Sequence, residues 1–250
     1  MTFSIFAGAA LGLAIAAAPL AAAGAAELKI LAGGSMTASL KELGPQFEKT
    51  TGHKLDIVFA ATPDLIKMAT SAPFDAAVVP VDVMKNEAAR AKFGSEQDTI
   101  ARVGFGVAVR AGAAKPDVST PEAFKAALLK ARSISTFPAS AAGAYVQKVF
   151  ERLGIADAMK AKTKVAAAPG DIPKAVASGE TELGVFLTNV MIAPGVELAG
   201  PFPGDLQQDL VFVGSVAADS RSADAARAFL KFLKSPEAQA VFKAKGVTPG

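Results

Sequence analysis

The chain has 250 residues, no cysteine, one histidine and a formal net charge of +3 at neutral pH. This weak positive charge, with no tryptophan and one tyrosine, argues against a nucleic-acid surface, which needs a basic patch and aromatic side chains. The lack of cysteine excludes disulfides, thiol catalysis and cysteine metal sites, and a single histidine cannot build a His-rich metal site. We therefore predict no cofactor, no metal site and no nucleic-acid partner.

The N-terminal residues 1–26 carry no charged side chain and include an Ala/Leu-rich apolar block at 11–20, followed by small residues at 21–26. A short apolar core that ends in an Ala-x-Ala-like stretch is typical of a secretory signal peptide. No Lys or Arg precedes this core, which is unusual for such a segment. A membrane anchor is the alternative, but the block is short for a spanning helix. We predict a signal peptide at 1–26 that is cleaved on export.

Short apolar strands alternate with amphipathic helices in the rest of the chain, which predicts an α/β fold with a largely parallel sheet. The helix after the first strand has Met36, Leu40, Leu43 and Phe47 on one apolar stripe. The predicted strands are 28–32, 55–59, 75–79, 102–109, 132–137, 182–187 and 208–216. The further predicted helices are 63–69, 143–153, 223–233 and 236–245, and two more begin near Thr120 and Gly170.

Two of these strands, 102–109 and 208–216, are similar in length and in their mostly apolar composition. One leads out of the first part of the chain and the other leads back, which predicts a hinge between two lobes. Residues 108–208 would form the second lobe, inserted into a first lobe made of 27–107 and 209–250.

Two turns of the first lobe place a hydroxyl between the end of a strand and the start of a helix. The hydroxyls belong to Ser35, after Gly33-Gly34, and to Thr62, after Ala60-Ala61. A helix N-terminus exposes unpaired N–H groups that attract anions, and small residues let a ligand approach the backbone. Ligands of open α/β sheets bind at this edge. Each turn alone is equally consistent with an ordinary N-cap.

The second lobe has two comparable places, the loop 139–143 and the helix start at Asp171-Ile172. We expect the Asp171 carboxylate to point away from an anion. The spaced glycines and Lys of a phosphate-binding loop are missing near Ser35, which argues against a nucleotide site. Four helix starts around one cleft would hold a small anion with neutral dipoles alone.

Five segments carry a resemblance to a known family: "LAGGSMTASLKELGPQFEKTTG", "FAATPDLIKMA", "PFDAAVVPVDVM", "ASAAGAYVQKVFERLGI" and "FLKFLKSPEAQAVFKAKGVTP". They resemble the periplasmic molybdate-binding proteins of ABC importers, which are type II substrate-binding proteins. The resemblance implies two α/β lobes joined by two hinge strands, with the ligand cleft between them. It also implies a periplasmic, non-enzymatic monomer that captures a molybdate- or tungstate-like oxyanion and delivers it to an inner-membrane ABC permease.

The resemblance also implies the ligand-binding positions, which are the hydroxyls of Ser35 and Thr62, the backbone N–H groups of Ala142 and Ile172, and the cleft residues Gly34 and Leu187. Three of these depart from the family pattern. Thr62 stands where Ser is usual, Gly34 stands where the family has Ala, and Leu187 stands where the family has a Tyr whose hydroxyl contacts the anion. A roomier, more apolar cleft would suit a larger anion such as an organic acid.

Two other functions remain open. A periplasmic hydrolase would pair Ser35 or Thr62 with a base, the candidates being Lys54, Lys67 and His53, but their spacing does not favour it. A binding protein that reports to a sensor would have the same sequence features as a transport protein.

Overall fold

A computed structural model describes residues 24–250, so nearly all of the predicted signal peptide, 1–26, lies outside the described residues. The strands are β1 (Glu27–Gly33), β2 (Lys54–Ala60), β3 (Ala76–Pro80), β4 (Asp98–Arg110), β5 (Ile134–Thr136), β6 (Thr163–Val165), β7 (Leu183–Leu187), β8 (Val196–Pro201), β9 (Asp209–Val216) and β10 (Thr248–Pro249). The helices are α1 (Thr37–Thr51), α2 (Thr62–Ser71), α3 (Glu87–Arg90), α4 (Pro121–Lys130), α5 (Ala141–Arg152), α6 (Ala156–Lys162), α7 (Asp171–Ala177), α8 (Ala223–Leu233) and α9 (Pro236–Ala244).

Strand β4 belongs to two sheets and connects the two lobes. The strand order is β2-β1-β3-β9-β4-β7-β5-β6, with β8 and β10 also paired to β4. Residues 98–104 of β4 pair with β9 in the first sheet, and residues 105–108 pair with β7 in the second. The predicted two-lobed α/β fold is confirmed.

The chain returns from the second sheet to the first through residues 202–208, between β8 and β9. Gln207 fixes this return to β4. Its amide nitrogen donates to the Phe105 carbonyl at 2.8 Å, and its side-chain oxygen accepts from the Phe105 N–H at 2.9 Å. Phe105 is the residue at which β4 changes sheets, so the two crossings of the chain are held together. The lobe boundaries at 107/108 and 208/209 stay a prediction.

The prediction of a largely parallel sheet is only half right. β1 pairs in parallel with β2 and β3, and β5 pairs in parallel with β6 and β7. The pairs that involve β4 and β9 are antiparallel, because one strand leads out of the first lobe and the other leads back. The sequence analysis also missed β6 and β8, which are short and partly exposed.

Helix α1 buries the predicted stripe, since Met36, Leu40, Leu43 and Phe47 have no exposed surface. The Phe47 ring lies 5.3 Å from the Phe229 ring of α8, centre to centre. The helix ends where Gly52 takes a left-handed conformation, with φ of 77°. Among residues 24–250, no helix is both long enough and apolar enough to cross a membrane.

The serines before α8 and α9 offer a matched test of helix capping. The Ser235 hydroxyl accepts a hydrogen bond from the Ala238 N–H at 3.2 Å, whereas Ser222 makes no side-chain cap. We expect Ser235→Ala to lower the free energy of unfolding by about 1 kcal/mol. Ser222→Ala should change it by less than about 0.5 kcal/mol. Urea unfolding followed by circular dichroism measures both, and equal losses would contradict the cap.

Candidate functional site

A cavity of about 30 Å³ lies between the lobes, at the edge where β1 and β2 end and α5 begins. Its lining is Gly33, Gly34, Ser35, Ala60, Ala61, Thr62, Pro80, Phe137, Ser140, Ala141, Ala142, Pro169, Phe186, Leu187 and Leu210. None of these side chains carries a charge. The cavity is therefore bounded by apolar groups, hydroxyls and backbone dipoles.

The hydroxyls of Ser35 and Thr62 do not cap the helices that follow them. The N-cap of α2 is Ala61 and that of α1 is Met36, and neither helix start has a side-chain cap. The Ser35 hydroxyl makes no hydrogen bond to any other group of residues 24–250. The alternative that these residues are simple N-caps is therefore wrong, and both hydroxyls remain available at the cavity.

The first turn of α5 presents three N–H groups, of which two have hydrogen-bond partners. The Ala141 N–H donates to the Thr62 hydroxyl oxygen at 3.1 Å, across the cleft. The Gly143 N–H is capped by the Ser140 hydroxyl at 3.0 Å. The Ala142 N–H, on a residue that lines the cavity, has no hydrogen-bond partner within the described chain. It is thus a free donor at a helix N-terminus, where the helix dipole also favours an anion.

A second hydrogen bond crosses the cleft beside the cavity. The Asn189 amide nitrogen, in the turn after β7, donates to the Ser35 carbonyl at 2.8 Å. The neighbouring Thr188 hydroxyl is engaged by the Gly104 carbonyl of β4 at 3.2 Å. The lobes are therefore closed on each other at two points, and Asn189 holds the turn that carries Ser35. The sequence analysis did not anticipate this role of Asn189.

The structure brings five of the six predicted site residues together: Gly34, Ser35, Thr62, Ala142 and Leu187 all line the cavity. Ile172 does not belong to this lining. Its N–H donates to the Pro169 carbonyl at 3.2 Å, and its buried side chain faces Gly184.

Beside Ile172, Pro169 is the residue of this loop that reaches the cavity. The Asp171 carboxylate pairs with Lys174 at 3.0 Å and accepts from the Ala168 N–H at 3.2 Å. It thus has partners in its own loop and does not line the cavity. Phe137, Phe186 and Leu210 also line it, and sequence patterns marked these three only as core or strand residues.

The bases considered for a hydrolase lie elsewhere. In the parallel pairing of β1 and β2, Lys54 faces Glu27 at one end, and Ala60 faces Gly33 at the other. His53 adjoins Lys54, and its Nδ1 accepts from the Ala26 N–H at 3.1 Å. About 20 Å of strand separates these two bases from the cavity. Lys67 is exposed on α2 and does not line the cavity.

The neutral lining limits what this cavity can bind. Free N–H and hydroxyl donors stabilise negative charge, whereas no carboxylate is present to balance a cation. The cavity is also small, with a volume of about 30 Å³. No cluster of metal-ligating side chains occurs within residues 24–250. The geometry suits one small oxyanion group.

Comparison with known proteins identifies the family. Residues 28–248 match the family model described as bacterial extracellular solute-binding protein. The chain belongs to this family. An aconitate isomerase of a Pseudomonas species is 32% identical to this solute-binding protein, over 92% of this chain and 90% of the relative. The molybdate-binding protein ModA of Azotobacter vinelandii is 30% identical, over 90% of this chain and 91% of the relative.

A solved structure supports the same fold. The periplasmic molybdate-binding protein of Azotobacter vinelandii superposes with a TM-score of 0.72 at 21% identity, covering 89% of this solute-binding protein and 99% of that chain. At this identity the likeness shows the fold alone. This likeness in fold is consistent with the two-lobed arrangement described above, in which β4 joins the two sheets.

Gly143 allows the start of α5 to pack against the loop before it. A Cβ at this position would overlap the Phe137 carbonyl oxygen, and a backbone atom cannot move aside as a flexible side chain can. We expect Gly143→Ala to displace the N-terminus of α5, lowering the free energy of unfolding by about 1–3 kcal/mol and weakening anion binding. Gly170→Ala is the control, because nothing lies within 4 Å of its added Cβ. Thermal unfolding measures the stability and calorimetric titration measures the anion affinity. A Gly143→Ala variant with unchanged stability and affinity would contradict this geometry.

Proposed function

We propose that this chain is a periplasmic solute-binding protein that captures an anion by one oxyanion group and delivers it to an inner-membrane ABC permease. The observation that carries the proposal is the uncharged cavity between the lobes, where the Ser35 and Thr62 hydroxyls and the Ala142 N–H are not used for helix capping. Each lobe supplies part of this donor set, so ligand binding and lobe closure favour each other. We expect the protein to act as a monomer.

A tetrahedral oxyanion such as molybdate or tungstate is the first candidate ligand. The support comes from the molybdate-binding relative, which is 30% identical over 90% of this chain. Such an ion would contact donors of both lobes, because residues of both line the cavity.

An organic acid bound through one carboxylate is the second candidate. Leu187 is 1% exposed and presents an apolar wall to the cavity. The relative named aconitate isomerase, 32% identical over 92% of this chain, has a tricarboxylic acid in its name. Proton transfer needs a titratable group within hydrogen-bond reach of the reacting atoms, and the cavity lining contains none. For the part of a ligand that lies in the cavity, this lining therefore supports binding without turnover.

Removal of either hydroxyl should weaken ligand binding without unfolding the protein. We expect Ser35→Ala and Thr62→Val each to raise the Kd by about tenfold to a hundredfold, since a hydrogen bond to a charged group contributes about 1.5–3 kcal/mol. Thr70→Val is the matched control, because the exposed Thr70 hydroxyl bonds only to the Ile66 and Lys67 carbonyls within α2.

The ligand for these titrations comes from a thermal-shift panel of molybdate, tungstate, sulfate, phosphate and small organic acids. A ligand at about a hundred times its Kd stabilises by about 2.7 kcal/mol. For a chain of this size the Tm should then rise by about 5–11 °C. Unchanged affinity in both hydroxyl variants would show that the anion binds elsewhere.

Leu187 separates the two candidate ligands. If the chain binds molybdate in the manner of the family that it resembles, Leu187→Tyr adds the missing hydroxyl donor. The Kd for molybdate should then fall by about tenfold or more relative to Leu187→Phe, which has the same ring without the hydroxyl. Calorimetric titration of both variants with molybdate measures this ratio. Equal affinities would show that no donor at this position reaches the ion.

A further inference from the structure

A larger groove between the lobes adjoins the cavity. This groove, the outer groove, has a volume of about 660 Å³ and is lined by both lobes. The cavity and the outer groove share Thr62, Ser140, Ala141 and Leu210 as lining residues. A ligand that occupies both would pass between these residues, where the Ala141 N–H now bonds to the Thr62 hydroxyl.

One face of α5 leads from the cavity along the outer groove. Ala141, Ala144, Tyr145 and Lys148 all line the outer groove, and their spacing of three, four and seven residues places them on one helical stripe. Lys148 lies about 10 Å further along the helix axis than Ala141, at 1.5 Å per residue. Side chains on a helix lean towards its N-terminus. The Lys148 ammonium can therefore reach back towards the cavity.

Several polar groups beside Lys148 already have hydrogen-bond or ion-pair partners. Burial raises the pKa of Tyr145, whose hydroxyl donates to the Leu206 carbonyl at 2.8 Å. Lys85 and Asp82 form an ion pair at 2.6 Å. Lys148 and Asp209 form no ion pair within residues 24–250. Lys148 is thus the groove cation that is still available to a ligand, and Asp209 is the one carboxylate that would oppose an anion there.

We infer that the outer groove is a second anion subsite and that the ligand is a small polycarboxylate, with one carboxylate in the cavity and another at Lys148. This inference rests on the proposed function, because it requires the cavity to hold an oxyanion group. A second carboxylate on the same ligand would reach Lys148 through the outer groove, which adjoins the cavity and has Lys148 in its lining.

The test compares ligands and charge variants by calorimetric titration and thermal shift. The probes are tricarballylate and citrate, with butyrate as the single-carboxylate comparison and molybdate as the compact oxyanion. We expect tricarballylate or citrate to bind more tightly than butyrate. Lys148→Met should weaken tricarballylate binding by about fivefold, and Asp209→Asn should strengthen it by about twofold. Lys160→Met is the matched control, because Lys160 is exposed on α6 and outside the outer groove.

The possible results distinguish failure of the second subsite from failure of the proposed function. Stabilisation by molybdate but not by either tricarboxylate would overturn the second subsite and leave the proposed function standing. Tricarboxylate binding that is equal in Lys148→Met and Lys160→Met would show that the outer groove does not hold the second carboxylate. Absence of stabilisation by any probe of the anion panels would overturn the proposed function, and the second subsite with it.

Discussion

An anion bound in the cavity, as we propose, would lose its hydration where no charged side chain can compensate for it. A desolvated ion costs far more than a neutral polar group unless hydrogen bonds replace its water. The donors in place are a free N–H at the start of α5 and two hydroxyls of the first lobe. Small residues such as Gly34 and Ala61 let the backbone come close to the ion. Each lobe supplies only part of this donor set, so the proposed binding mode uses both lobes.

The joint between the lobes ties the two crossings of the chain together. β4 runs through both sheets, and Gln207 ties the returning segment to Phe105 at the point where β4 changes sheets. Hydrogen bonds at this point bind the two crossings to each other. The hydrogen bonds that cross the cleft beside the cavity run from Ala141 to Thr62 and from Asn189 to Ser35. If the lobes open as a hinge, as we propose, these two bonds break.

Local patterns predicted most helices and strands because each depends on its own residues. α8 lies at Ala223–Leu233, as predicted, and α9 begins at Pro236, also as predicted. The use of the hydroxyls was not predictable in this way. Ser140 and Thr62 both follow small residues at a helix start, yet Ser140 caps α5 whereas Thr62 bonds across the cleft. The difference depends on how the lobes pack, which no local pattern contains. The same holds for Asn189 and for the engaged N–H of Ile172.

The bond from Ala141 to Thr62 also explains how closure can strengthen ligand binding. The Thr62 hydroxyl oxygen accepts the Ala141 N–H, so its own proton remains for another acceptor. Accepting a hydrogen bond polarises a hydroxyl and makes it a better donor. A β-branched side chain also has few χ1 rotamers, so the position of this oxygen is restricted before a ligand arrives. In the proposed binding mode, opening of the lobes would remove the N–H partner and make the hydroxyl a weaker donor. Thr62 would thereby couple the position of the second lobe to the affinity of the first.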